Sequence, residues 1–203
     1  MPRIYVCPIS WIMRNILSRF IVNDLPFNGL KLIKRSRIND ARGFLVRMFC
    51  DEDLENQIGW SSQIRQINHT KTTEIGTVRG MHYQLPPYAE TKIVTCIKGE
   101  IIDIAIDLRA DSSTFLKYHS EILSDQNDLS LIIPEGFAHG FQALSDDVEL
   151  IYFHTERYNR DFEAAINPLD PAIMIDWPKE ITNISQRDKN HPFLDKEYRG
   201  VLI

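Results

Sequence analysis

Two short stretches hold histidines in settings where an imidazole could do chemistry. Residues 76–92 read GTVRGMHYQLPPYAETK and place His82 between Arg79 and Lys92; residues 134–139 read PEGFAH and end on His139. An imidazole near neutral pH can ligate a metal or move a proton, and its neighbours decide which. Lys92, ten residues past His82, is a cation that could sit on an adjoining stretch of the same sheet face and stabilise a developing oxyanion. Tyr152, in the strand-like run VELIYFHTERY, offers a phenol as proton donor. Arg42 in NDARGF and Arg79 in TVRGMH together offer an anion site.

These side chains need a scaffold, and the chain is long enough to build one. Its 203 residues, 43% of them apolar, suit a single domain. The formal charge of −5 gives no general attraction to nucleic acid or anionic membrane, so any phosphate must be met by a local arginine cluster. Cys7, Cys50 and Cys96 are widely spaced and form no CxxC, which argues against a disulfide framework or zinc knuckle and for a reduced, cytoplasmic setting. Near the start, Trp11, Ile12, Ile16 and Phe20 fall close to helical spacing and predict a short amphipathic helix within an extension over residues 1–24; Arg14 and Arg19 interrupt any secretory or membrane-spanning run.

Residues 25–203 read as one domain of short apolar runs between turn signals. Ile102, Ile104, Ile106 and Leu108 alternate with polar residues, the period of a strand with one buried face, and Asp103 and Asp107 are read as its solvated side. KG at 98–99, RADSST at 109–114, SDQND at 124–128, PEG at 134–136 and SDD at 145–147 recur at the spacing of consecutive antiparallel strands. An all-β sandwich or barrel is expected, with the irregular segment from Asn159 onward wrapped over it as turns and short helices.

The pattern Gly76-x5-His82-x-Gln84, with Pro134, Gly136 and His139 later, resembles the two motifs of the cupin barrels. In metal-binding cupins a second histidine and a glutamate complete the site with the later histidine. Here Gln84 stands for that histidine and Lys92 for the glutamate, although Glu90 lies two places off. The metal site reads as dismantled, and no cofactor is expected.

RGMHYQLPPYAETK, IKGEIIDIAIDLR, IIPEGFAHGFQAL, IYFHTERY, NPLDPAIMIDWP and ISQRD resemble, in order, the successive blocks of the dTDP-4-dehydrorhamnose 3,5-epimerase family, metal-free cupins of nucleotide-sugar metabolism. The resemblance covers about residues 25–195. It implies a cupin-type double-stranded β-helix and an isomerase that inverts C3, C5 or both on a nucleotide-linked 4-keto-6-deoxy sugar. Carried over by position, His82 is the base that removes the proton beside the keto group, and Asp188 is its carboxylate partner. Lys92 holds the enolate oxygen, and Tyr152 donates a proton on the opposite face. Arg42 and Arg79 meet the diphosphate, Gln66 and Asn68 make polar contacts, Tyr158 stacks on the base with Phe44 in the same wall, and His139 lines the cavity. In the family the RGF strand crosses to a partner subunit, so the resemblance implies a homodimer in which Arg42 and Phe44 serve the neighbouring site.

One departure is Arg47, where the family commonly has a glutamate near the nucleotide. His69, His119, His154 and His191 are read as ordinary hydrogen-bonded residues, and DEDLE at 51–55 as a solvated turn or helix start. Three other readings remain: a single-site epimerase or ketoisomerase, a non-catalytic sugar-nucleotide-binding cupin, and a metal-dependent cupin using His82, Gln84 and His139.

Overall fold

The computed structural model describes residues 19–203. Cys7 and the predicted helix positions Trp11, Ile12 and Ile16 lie outside them. Phe20, by contrast, opens a strand, β1 (Phe20–Asp24), which pairs antiparallel with β2 (Lys31–Arg35).

Eleven strands build two facing sheets. The first has the order β1, β2, β10 (Leu129–Ile133), β7 (Lys92–Lys98), β12 (Val148–His154), β5 (Gln66–Thr72). The second runs β13 (Glu163–Ala165), β6 (Val78–Gln84), β11 (Phe137–Ala143), β8 (Glu100–Asp107), β9 (Tyr118–Ser124). A separate hairpin joins β3 (Arg37–Asp40) to β4 (Gly43–Val46). All the paired strands are antiparallel, and every turn signal from KG to SDD falls at a junction between consecutive strands. The predicted all-β cupin sandwich is the architecture found. DEDLE opens helix α1 (Asp51–Ile58), where Asp51, Glu52 and Asp53 face the positive end of the helix dipole and Gly59 closes it in the left-handed conformation. No helix among the described residues is long and apolar enough to cross a membrane.

The core has three layers. Between the sheets pack Val94, Leu131, Phe137, Phe141, Leu150 and their neighbours. Outside the first sheet, Leu54 of α1 seals Ile33, Ile93 and Phe153, a burial worth on the order of 2 kcal/mol for the leucine. Outside the second sheet, Ile104, Ile106 and Leu108 lie beneath Ile166, Ile173 and Val201 of the C-terminal segment. Asp103 and Asp107 therefore are not a solvated face: both are fully buried. The isoleucines face outward beneath the tail, and the residues alternating with them point toward the sandwich interior, where Ala105 packs. Asp107 is satisfied by Arg109, Ser112 and Thr114 in the following turn.

Candidate active site

At one end the sandwich interior opens into a cavity of about 1050 Å³. The second sheet contributes His82 and His139, the first Lys92 and Tyr152, and the C-terminal segment Ser185, Arg187 and Asp188. His82 and His139 are direct partners across the β6–β11 pairing. The strands close up beside them because Gly80, at φ +137°, and Gly140 have no side chains: a Cβ on Gly80 would lie 2.5 Å from the Gly140 Cα.

Each histidine has an aspartate. His82 Nε2 lies 2.9 Å from Asp188 Oδ1, and Asp188 is held on a short helix, α2 (Gln186–Lys189), whose N-cap Ser185 accepts from the Asp188 N–H. Burial pushes the Asp188 carboxyl up, but the hydrogen bond and charge of His82, with help from Ser185 and the Gly80 N–H, outweigh it and leave it below the ordinary carboxylate range. A carboxylate at Nε2 assigns the ring proton to that nitrogen and leaves Nδ1 as the basic one. The Arg187 guanidinium, 3.1 Å from the same nitrogen, is drawn there by Asp188 and Glu163. The second pair is His139 Nε2 with Asp103 Oδ1 at 2.7 Å, and there burial dominates and raises the carboxyl.

Lys92 arrives from the other sheet. The predicted shared sheet face for His82 and Lys92 is therefore corrected: the Pro86-Pro87 turn carries the chain across the sandwich, and Lys92 Nζ donates to the His82 carbonyl oxygen at 3.2 Å. Tyr152 packs edge-on to His139, ring centroids 5.9 Å apart, and stacks on His154 at 6.0 Å. Burial, with the Asp103 charge second, drives its phenol well above the usual tyrosine value and keeps it protonated.

Gln66, Asn68, Arg79 and Tyr158 line the outer part of the same cavity. Gln66 donates to Asn68 at 3.1 Å, and the Tyr158 hydroxyl donates to Glu163 at 2.9 Å. Arg42 and Phe44 are elsewhere, on the β3–β4 hairpin: the Arg42 side chain is 91% exposed and paired with Asp40, and Phe44 is 57% exposed beneath the Arg37 guanidinium. Arg47 is also outside the cavity, bound to Asp53 of α1 at 2.8 Å.

Sequence reasoning missed several cavity residues. His154, a hydrogen-bonded residue as expected, also lines the cavity, and His191 packs 6.2 Å from the His82 ring. Glu90, Glu163 and Arg187 also reach the cavity. The place of Asp188 and Arg187 one residue apart in QRD was the available signal for the last of these. As to metals, Gln84 is engaged at both ends: its amide nitrogen donates to Glu90 at 2.6 Å, and its oxygen accepts from the Asn159 N–H. His82, Asp188 and His191 do present ligand atoms within 4.8 Å of one another, with the Arg187 cation beside them.

The family model for dTDP-4-dehydrorhamnose 3,5-epimerase matches residues 24–196. A Shigella flexneri dTDP-4-dehydrorhamnose 3,5-epimerase is 42% identical over 78% of this chain and 88% of its own. The fold is similar to that of the Legionella pneumophila dTDP-6-deoxy-D-glucose-3,5-epimerase in complex with dTDP-4-keto-L-rhamnose, with a TM-score of 0.83 and 32% identity over 91% of this chain and 99% of that one. It is also similar to a 3'-monoepimerase from Streptomyces bikiniensis in complex with dTDP-quinovose, with a TM-score of 0.79 and 28% identity over 84% and 86% of the two chains.

Proposed function

The chain belongs to the dTDP-4-dehydrorhamnose 3,5-epimerase family, an isomerase family, and from that premise we propose that it inverts C3 and C5 of a dTDP-linked 4-keto-6-deoxy sugar without a metal. The observation that carries the reading is that a base and an acid enter one cavity from opposite sheets, His82 from the second and Tyr152 from the first. Inversion needs a proton removed from one face of the carbon and returned to the other.

In this mechanism His82 Nδ1 takes the proton beside the keto group, and Asp188 stabilises the imidazolium that forms. Electron density moves onto the keto oxygen, where the Lys92 ammonium holds the enolate. Tyr152, kept protonated by burial, delivers a proton to the opposite face. His139 braces the Tyr152 ring. Arg79 meets the diphosphate, Gln66 and Asn68 bind the sugar-nucleotide through polar contacts, and Tyr158 stacks on the base. The hairpin of Arg42 and Phe44 stands away from this chain's cavity; in the proposed homodimer it serves the neighbour's cavity, and Arg42 is the second arginine of that phosphate site. Cytoplasmic placement suits the free cysteines Cys50 and Cys96.

Incubation with a dTDP-linked 4-keto-6-deoxy sugar in D₂O, read by NMR, is expected to place deuterium at both C3 and C5. Deuterium at C3 alone would favour the reading supported by the similarity to the monoepimerase, single-site epimerisation. No exchange at either carbon would remove the function. Stoichiometric transition metal in protein purified without added metal would overturn the metal-free mechanism.

A further inference from the structure

Glu90 is one of the most enclosed carboxylates of the cavity, yet the acid–base steps above do not use it. It lies in the loop just before β7, and all of its contacts are groups of the site. Glu90 Oε1 is 3.1 Å from Lys92 Nζ, and both side chains are more than nine-tenths buried. Glu90 Oε2 accepts from the Gln84 amide at 2.6 Å, and His154 Nδ1 lies 3.7 Å away on the same side. Gln84 is itself immobilised by the Tyr88 and Arg157 carbonyls. Burial pushes the Glu90 carboxyl up, and His154 and Lys92 more than reverse that push, so the group is an anion at neutral pH.

A buried ammonium needs a counter-charge to remain both charged and fixed, since an unpaired lysine in such a place loses its proton or swings to water. Among the described residues, the other hydrogen-bond partner of Lys92 Nζ is the His82 carbonyl, which fixes direction but brings no charge. Resting on the function proposed above, we propose that Glu90 is the positioning residue for the Lys92 oxyanion site, holding the ammonium charged and aimed into the cavity. Gln84 and His154 serve it by fixing the carboxylate from behind. Glu90 touches no reacting atom and acts wholly through Lys92. Gln84 and Glu90, the two residues that keep a trace of a metal motif in the sequence, thereby become the support of a cation.

The test is turnover of a dTDP-linked 4-keto-6-deoxy sugar by Glu90→Gln, Lys92→Met and the double variant. Glu90→Gln keeps the shape and can still accept from Gln84. It is expected to lower kcat about tenfold with KM changed less than about twofold, because the lysine acts on charge present only in the transition state. In the Lys92→Met background the same substitution is expected to change kcat less than about twofold, the mark of a residue acting through its partner. A Glu90→Gln enzyme at or above the wild-type kcat overturns the proposal, as does an equal loss in both backgrounds, which would mean a general structural role. If Glu90→Gln does not fold, Glu90→Asp, which withdraws the charge by one methylene, is read by the same two criteria. Wild-type protein that turns over no such sugar overturns the functional reading and this inference with it, whereas failure of the coupling alone leaves the function standing.

Discussion

His82 and His139 face each other across the β6–β11 pairing, each with an aspartate at Nε2, yet their surroundings differ. The His82 side chain is 27% exposed, and its aspartate comes from a short helix of the C-terminal segment, where a serine, a backbone N–H and an arginine surround it. His139 is 6% exposed and Asp103 is 0% exposed; both are on strands of one sheet, and Asp103 Oδ2 has no hydrogen-bond partner among the described residues. The same two residue types thus give a pair that can exchange a proton with something in the cavity and a pair that is closed. What distinguishes them is the number of hydrogen bonds the carboxylate receives and the access of the ring, not the histidine–aspartate distance. The open pair is the catalytic one in this reading, and the closed pair positions Tyr152 by ring contact.

The largest effect should come from the open pair. His82→Ala is expected to slow deuterium entry at the epimerised carbons by about 10³-fold, the scale of a lost general base, and NMR of the exchanging sugar measures it. Exchange at the wild-type rate would remove His82 as the base and with it the contrast between the pairs. Asp188→Asn is next, at about 10²-fold in kcat, because the amide accepts a hydrogen bond but no longer stabilises an imidazolium. Asp103→Asn should cost less than about tenfold in kcat, since it perturbs only the support of Tyr152. A loss from Asp103→Asn equal to that from Asp188→Asn would make the two pairs equivalent and refute the division of labour.

The same contrast explains what could be read from the amino-acid string. His82, Lys92, Tyr152 and Asp188 were legible because each sits in a distinctive local block, and turn residues such as Gly99 mark strand ends independently of long-range packing. Asp103 was misread because period two reports two faces without saying that both are covered: the C-terminal segment over the second sheet hides the isoleucine face, and the aspartate turns inward. The shared sheet face that the spacing allows for His82 and Lys92 is not found, because a hairpin and a crossing between sheets look alike over ten residues. His154 shares the block of Tyr152, but only the β12–β7 pairing brings it to the cavity, and only the packing of the tail sets His191 against the His82 ring. Arg42 and Phe44 show the converse: the sequence blocks nominate them for the site, and the fold sets them on a hairpin outside this chain's cavity.

The smallest expected effect is also the sharpest test of the comparison, because the two aspartates should respond to pH with opposite signs. Asp188 is held below the ordinary carboxylate value in the folded state, so the unfolded chain binds more protons and the stabilisation it brings is present above about pH 3.9. That stabilisation is lost as pH falls through the lowered value. Asp103 is raised by burial, so in the window between about 3.9 and its folded value the native state binds more protons, and stability increases as pH falls. Asparagine removes each titration without removing the side chain. Between about pH 7 and about pH 2, the Tm difference between wild type and Asp188→Asn should therefore hold steady down to about pH 4 and shrink below it, while the difference between wild type and Asp103→Asn should shift in favour of wild type as pH is lowered toward about 4. Thermal melts of the three proteins across that interval measure both slopes. Slopes of the same sign would mean that the two carboxylates share one electrostatic environment, and the open and closed pairs would then differ in access alone.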